Sequence, residues 1–159
     1  MNKTQLIIVG VDGSEGSRLA LRWAVAEAQR SGGAVKAVTA WYWQGLEGDM
    51  LAVTNPREQE QHAERISARE VEAVVAEFGS ETPIAREVVE GVPVRVLIDA
   101  SRQARMLVLG SHGHGRLHHA VLGSVSDECA RQARCPVVII PVPQTEKVEE
   151  AAEPVLATP

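Results

Sequence analysis

The chain has 159 residues, 45% of them apolar, which suits one domain around a single core. Its net charge is −5, of which residues 144–159 carry −3, so the rest is close to neutral. Nucleic-acid binding is not expected: there is no basic footprint to displace counterions, and three of the few aromatics (Trp41, Tyr42, Trp43) are adjacent rather than spread over a stacking platform.

The start, "MNKTQLIIVGVDGS", holds one lysine and a short apolar run that meets a turn at once. It is too short for a signal or membrane-spanning segment, so no membrane partner and a cytoplasmic location are expected. "QLIIVGV" has strand length and is apolar throughout, as in a parallel-sheet strand buried on both faces. Ser14 or Ser17 is placed to cap the following helix. Its inward residues are Leu21, Ala24, Val25 and Ala28, and Ser31-Gly32-Gly33 stops it. "AVKAVTAW" is the second strand, and Trp41-Tyr42-Trp43 at its end is expected to pack at a sheet edge or under the next loop. A long amphipathic helix from Arg57 to Gly79 turns Ala63, Ile66, Val71, Val74, Val75 and Phe78 inward and presents Glu58, Glu60, Glu64 and Arg65 to solvent.

"IAREVVEG" is more polar and reads as a strand near an edge. Pro93 suits the first turn of a helix running to about Arg102, with Val94, Leu97 and Ile98 inward. "RMLVLG" is the fourth strand, a helix follows from about Ser124 to Arg134, and "VVIIPV" is the fifth strand. Residues 1–143 are expected to form the folded domain and 144–159 a disordered acidic tail. Strands alternating with helices predict a doubly wound parallel sheet with helices on both faces. In such sheets ligands bind at the carboxyl ends of strands, where the winding direction reverses.

Two strand ends carry loop chemistry, Asp12-Gly13-Ser14 and "GSHGHGRLHHAVLGS" from Gly110 to Ser124. The second admits three explanations: a phosphate cradle, a metal site or a plain loop. Gly110 and Gly113 let backbone N–H groups close on an anion. Gly123-Ser124 stands at a helix start, where free N–H groups and the helix dipole favour phosphate. Ser124 and Ser126 carry hydroxyls for capping or for phosphate, Arg116 offers a charge-assisted bond, and Asp12 can accept from a ribose hydroxyl or hold a metal's water. His112, His114, His118 and His119 lack a neighbouring cysteine or carboxylate to complete a tetrahedral set, so no metal bound by protein alone is expected.

"GSHGHGRLHHAVLGSVS" resembles the nucleotide-binding signature of the universal stress protein family, G-x-x-G, nine residues, then G-S/T, at Gly110, Gly113, Gly123 and Ser124. "VGVDGSEGS", "VVEGVP" and "CPVVIIP" resemble that family's first strand and aspartate turn, third-strand exit and last strand. The resemblance covers about residues 5 to 142. It implies five parallel strands in the order 3-2-1-4-5, a homodimer, and the ATP-binding subclass. By carry-over, Asp12 lies near ribose and phosphates, the backbone around Ala40 meets adenine, and Gly110, Gly113, Gly123, Ser124 and Val125 bind ribose and phosphates. Flanking positions complete the candidate set: Gly10, Val11, Leu109, Ser111, His112, Gly115, Arg116 and Ser126. Gly115 departs from the motif by adding a glycine inside the loop. ATP, with Mg²⁺ through its phosphates, is the expected ligand.

The function that follows is a nucleotide-dependent stress-response or signalling module with little or no catalysis. Its rivals are a weak ATP hydrolase or adenylating enzyme and a cyclic-nucleotide (cAMP) sensor. No Walker lysine follows the glycines, and no Gly/Ser-rich loop of the ATP-pyrophosphatase kind follows the first strand. The apolar last strand is an uncovered edge, which is a liability, and the resemblance implies that two such strands meet across a dyad, so the dimer contact is expected to include Val138 and Ile140. Cys129 and Cys135 are six residues apart, about 9 Å along a helix and beyond disulfide reach, so both are expected to be free thiols.

Overall fold

The computed structural model describes residues 5–43, 55–114 and 122–143. Its elements run β1 (Leu6–Gly10), α1 (Glu15–Ser31), β2 (Ala34–Trp41), α2 (Pro56–Phe78), β3 (Ile84–Glu90), α3 (Pro93–Ser101), β4 (Met106–Gly110), α4 (Ser124–Gln132) and β5 (Val137–Ile140). The five strands pair in parallel in the order β3-β2-β1-β4-β5, as expected. No helix among the described residues is long and apolar enough to cross a membrane.

The two-residue period of the strands divides the core into two halves. Ile7, Val9, Val35, Ala37 and Val108 point to one face, where Leu21, Ala24, Val25 and Ala28 of α1 and Val74 of α2 cover them. Leu6, Ile8, Val38, Leu107 and Leu109 point to the other, against Leu97 of α3 and Cys129 of α4. Strands β1 and β4 are apolar without alternation because both faces are covered. Edge strand β3 is partly covered, Ile84 packing against the first half and Val89 against the second, and its exposed Arg86 and Glu87 pair with Glu64 at 2.7 Å and Lys36 at 3.0 Å.

Local signals fix the ends. Ser14, not Ser17, is the N-cap of α1: its side chain accepts from Ser17 N. Gly32 closes that helix at φ 68°, a left-handed conformation that glycine reaches without strain. Helix α2 starts at Pro56, one residue ahead of the expected start, with Asn55 as its N-cap. Helix α4 ends at Gln132, two residues short of the expected stop, where Ala133 turns to extended backbone at φ −59° and ψ 154°.

Helix α2 departs from its expected inward stripe at Glu70, which is only 5% exposed. Arg18 Nε lies 3.0 Å from one carboxylate oxygen and Arg69 Nη2 2.9 Å from the other. A buried carboxylate needs such partners, since desolvation alone would disfavour its charge. The acidic tail expected over 144–159 lies outside the described residues.

Candidate cleft at the sheet's switch point

Strands β2 and β5 flank β1 and β4, so the chain winds outward in opposite directions from the β1–β4 pair. The exits of β1 and β4 therefore border one crevice, as this topology requires. A cleft of about 220 Å³ opens there. Gly10, Val11 and Asp12 line it from β1, Ala40 from β2, and Leu109, Gly110, His112 and Gly113 from β4. Gly123, Ser124, Val125 and Ser126 line it from the start of α4. Gly115 and Arg116, with His118 and His119, lie outside the described residues.

The Asp12 turn is held by its own side chains. Asp12 Oδ1 accepts from Ser14 N at 2.9 Å and from the Ser14 hydroxyl at 2.5 Å. Gly13 takes φ 80°, and Arg18 Nη2 donates to its carbonyl at 2.8 Å. This arrangement aims Asp12 Oδ2 at the glycine loop: a Cβ built on Gly113 would stand 2.6 Å from it. Among the described residues lining the cleft, Asp12 is the only acidic one and none is a lysine or arginine.

The glycines serve different ends. A Cβ on Gly110 would lie 2.5 to 2.7 Å from backbone atoms of Gly16, so Gly110 admits the first turn of α1. Gly123 takes φ −68° and ψ 157°, and a Cβ there would make ordinary contacts, 3.4 Å to Ser111 O and 3.5 Å to the His112 Cα. A left-handed conformation is therefore not what Gly123 supplies. It is the N-cap of α4 with no side-chain cap, and it leaves the first helical N–H groups (Ser124, Val125, Ser126) at the cleft wall without an acceptor among the described residues.

Two serines differ from the sequence expectation. Ser126 is buried and its hydroxyl donates to Gly110 O at 2.6 Å, so it can accept from a ligand but has no proton left for a phosphate oxygen. Ser111 does not line the cleft. Its N–H donates to Ile140 O, its carbonyl accepts from Gly123 N, and its hydroxyl accepts from Val142 N, which pins the loop to β5. Trp41, Tyr42 and Trp43 also lie off the cleft, Tyr42 and Trp43 are exposed, and the loop that follows them, from residue 44 to 54, lies outside the described residues.

The lining also includes Ser14, Ser17, Val38, Pro93, Leu97 and His114, none of them in the sequence-derived set. Val38, Leu97 and Leu109 belong to one core half, and with Pro93 and Ala40 they form an apolar floor. Parity along β2 was the available signal, since Val38 and Ala40 share a face. Nothing local to "VPVRVL" reveals that its helix covers that face.

No group of three metal-ligating side chains occurs among the described residues. Both cysteines are free. Burial, then the neighbouring Glu128 charge, pushes the Cys129 thiol up to about 11, and burial also raises Cys135. Neither is a thiolate at neutral pH, so thiol nucleophilic chemistry has no agent here.

The cleft thus joins an apolar floor to an uncapped helix N-terminus and an oriented carboxylate. Comparison with known proteins agrees with this architecture. A universal stress protein of Mycobacterium tuberculosis is 38% identical over 133 residues, covering 84% of this chain and 44% of that protein, so the chain spans about half the length of the curated relatives it matches. A universal stress protein solved in complex with cAMP superposes with a TM-score of 0.66 at 24% identity, covering 86% of this chain and 96% of that one. A family protein from Arabidopsis thaliana with AMP bound gives 0.58 at 19% identity, covering 92% and 97%. The model of the universal stress protein family matches residues 3–141, and with the sheet order and the curated relatives this establishes that the chain belongs to that family.

Proposed function

We propose that the cleft binds an adenine nucleotide, with ATP and Mg²⁺ as the physiological ligand, and that the domain is a nucleotide-dependent stress-response module with little or no catalysis. The observation that carries this reading is the uncapped start of α4 at the wall of an apolar-floored cleft. Its N–H groups and dipole suit phosphate, while Val38, Ala40, Pro93, Leu97 and Leu109 suit a base. Two structural relatives hold cAMP and AMP, and the spacing of Gly110, Gly113, Gly123 and Ser124 supports the ATP-binding subclass. A nucleoside triphosphate beside the Asp12 carboxylate requires a cation, and Asp12 Oδ2, turned toward the glycine loop, fits a Mg²⁺ held chiefly by phosphate oxygens.

Titration calorimetry with ATP, ADP, AMP and cAMP, each with and without Mg²⁺, tests this. ATP is expected to bind tightest, and only with Mg²⁺. Equal or tighter binding of cAMP makes the domain a cyclic-nucleotide sensor, and no binding of any of the four removes the reading. Mass spectrometry of what co-purifies after mild denaturation is the complementary check.

The assembly proposed is a homodimer through the β5 edge. Residues Val137 to Ile140 are all half-buried in one chain, and the outer edge of β5 has no strand beside it among the described residues. Light scattering at micromolar concentration is expected to give twice the chain mass. A monomer mass contradicts it.

A further inference from the structure

Among the described residues, a long-range side-chain bond links the glycine loop to the Asp12 turn, and the nucleotide reading does not require it. His114 Nε2 lies 2.7 Å from the backbone oxygen of Asp12, 102 residues away in the chain. A carbonyl only accepts, so Nε2 carries the proton and donates. Both residues line the cleft, one at the exit of β4 and the other at the exit of β1.

The Asp12 side of this bond is a rigid post. The carboxylate is tied to Ser14, and the next carbonyl along, that of Gly13, is held by Arg18 Nη2 at 2.8 Å. Arg18 is held in turn by Glu70, a buried residue of α2, which packs on the same face of the sheet as α1. The loop side is different. Gly113 has no side chain to anchor it, and a Cβ built on it would stand 2.6 Å from Asp12 Oδ2, where phosphate and cation are proposed to lie. A bond from the adjoining residue to the post sets how closely the loop approaches that carboxylate.

We propose that His114 is a positioning residue for the nucleotide: its imidazole fastens the glycine loop to the Asp12 turn across the cleft and slows ligand escape. This rests on the adenine-nucleotide reading. It concerns dissociation rather than recognition, since Nε2 is spent on protein and touches no phosphate.

The test is stopped-flow dissociation of ATP bearing a fluorescent methylanthraniloyl group, with Mg²⁺, from the parent, His114→Leu and His114→Gln. The leucine variant is expected to release the probe about two- to tenfold faster, the range of one ordinary hydrogen bond, with association no slower. Glutamine reaches as far as Nε2 and keeps an N–H, so it restores the parental rate within about twofold. Thermal unfolding of the ligand-free proteins is expected to be the same for all three. Imidazole ¹⁵N spectra of the ligand-free parent are expected to show His114 protonated at Nε2, which separates a bond to Asp12 from a contact made to phosphate. A leucine variant with the parental release rate, a glutamine variant as fast as leucine, or a ligand-free Nδ1–H tautomer overturns the proposal and leaves nucleotide binding standing. A parent that binds no adenine nucleotide overturns both.

Discussion

Gly123→Val is expected to bind Mg²⁺–ATP at least about a hundredfold more weakly than the parent, roughly 3 kcal/mol, while folding as the parent does. The backbone at Gly123, φ −68° and ψ 157°, is one that a β-branched residue adopts comfortably. The space is also there for the first carbon, whose closest neighbour would be Ser111 O at 3.4 Å. The stability cost is then that of a poorer N-cap, about 1 kcal/mol or less. What the valine does obstruct is the cleft, which Gly123 lines beside the free N–H groups of α4. Gly123→Ala is expected to fall between the two. Ser124→Ala is expected to cost about 0.5–1.5 kcal/mol if its hydroxyl makes an ordinary bond, and up to roughly 3 if that bond is to a charged phosphate. His112→Asn and His114→Asn are each expected to leave affinity within about tenfold. Calorimetry on this set, with thermal unfolding alongside, separates the cradle from its rivals. A valine variant that binds like the parent, beside a histidine variant that does not bind, removes the phosphate cradle.

The sheet was legible from the chain because its signals are local. "LIIVG" and "MLVLG" are apolar without alternation, which only a strand covered on both faces tolerates, and "IAREVVE" admits the exposed pair Arg86 and Glu87 because β3 is an edge. The order of strands came from the resemblance rather than from the runs, which do not say which strand lies beside which. At the cleft, Asp12 and the glycines stood out because turn chemistry and spacing are linear properties. Glu70 did not. Its role depends on Arg18, which the chain brings within 3.0 Å from 52 residues away. The hydroxyl of Ser126 is hidden from the sequence for the same reason, since it donates to a carbonyl 16 residues back. Leu97 and Pro93 enter the site only because α3 lies over Val38 and Leu109, a fact of packing that no short stretch contains.

The glycines themselves divide along this line, and Gly110 shows where spacing misleads. Its place in the motif suggests that it exists for the phosphate. Its surroundings assign it to the protein instead: a Cβ would lie 2.5 Å from the Gly16 carbonyl carbon, 2.6 Å from its oxygen and 2.7 Å from its Cα. These are backbone atoms, so no rotamer change relieves the clash, and α1 must move away from β4. On the other side, a Cβ on Gly16 would strike the His112 carbonyl oxygen, so the two glycines are halves of one close approach. Gly110→Ala is therefore expected to lose about 1–3 kcal/mol or more of folding stability with no nucleotide present. For a domain of this size that lowers the melting temperature by about 3–10 °C. Gly16→Ala is expected to do the same, and the double variant to cost less than the two together, because one displacement of α1 relieves both contacts. Nucleotide affinity falls as a consequence, since α1 carries Ser14 and Ser17, which hold the Asp12 turn. The contrast with Gly123→Val is the informative part: one substitution lowers stability first and binding through it, the other lowers binding far more than stability. A Gly110→Ala protein that melts with the parent and fails only to bind would show that this glycine serves the phosphate and not the packing of α1.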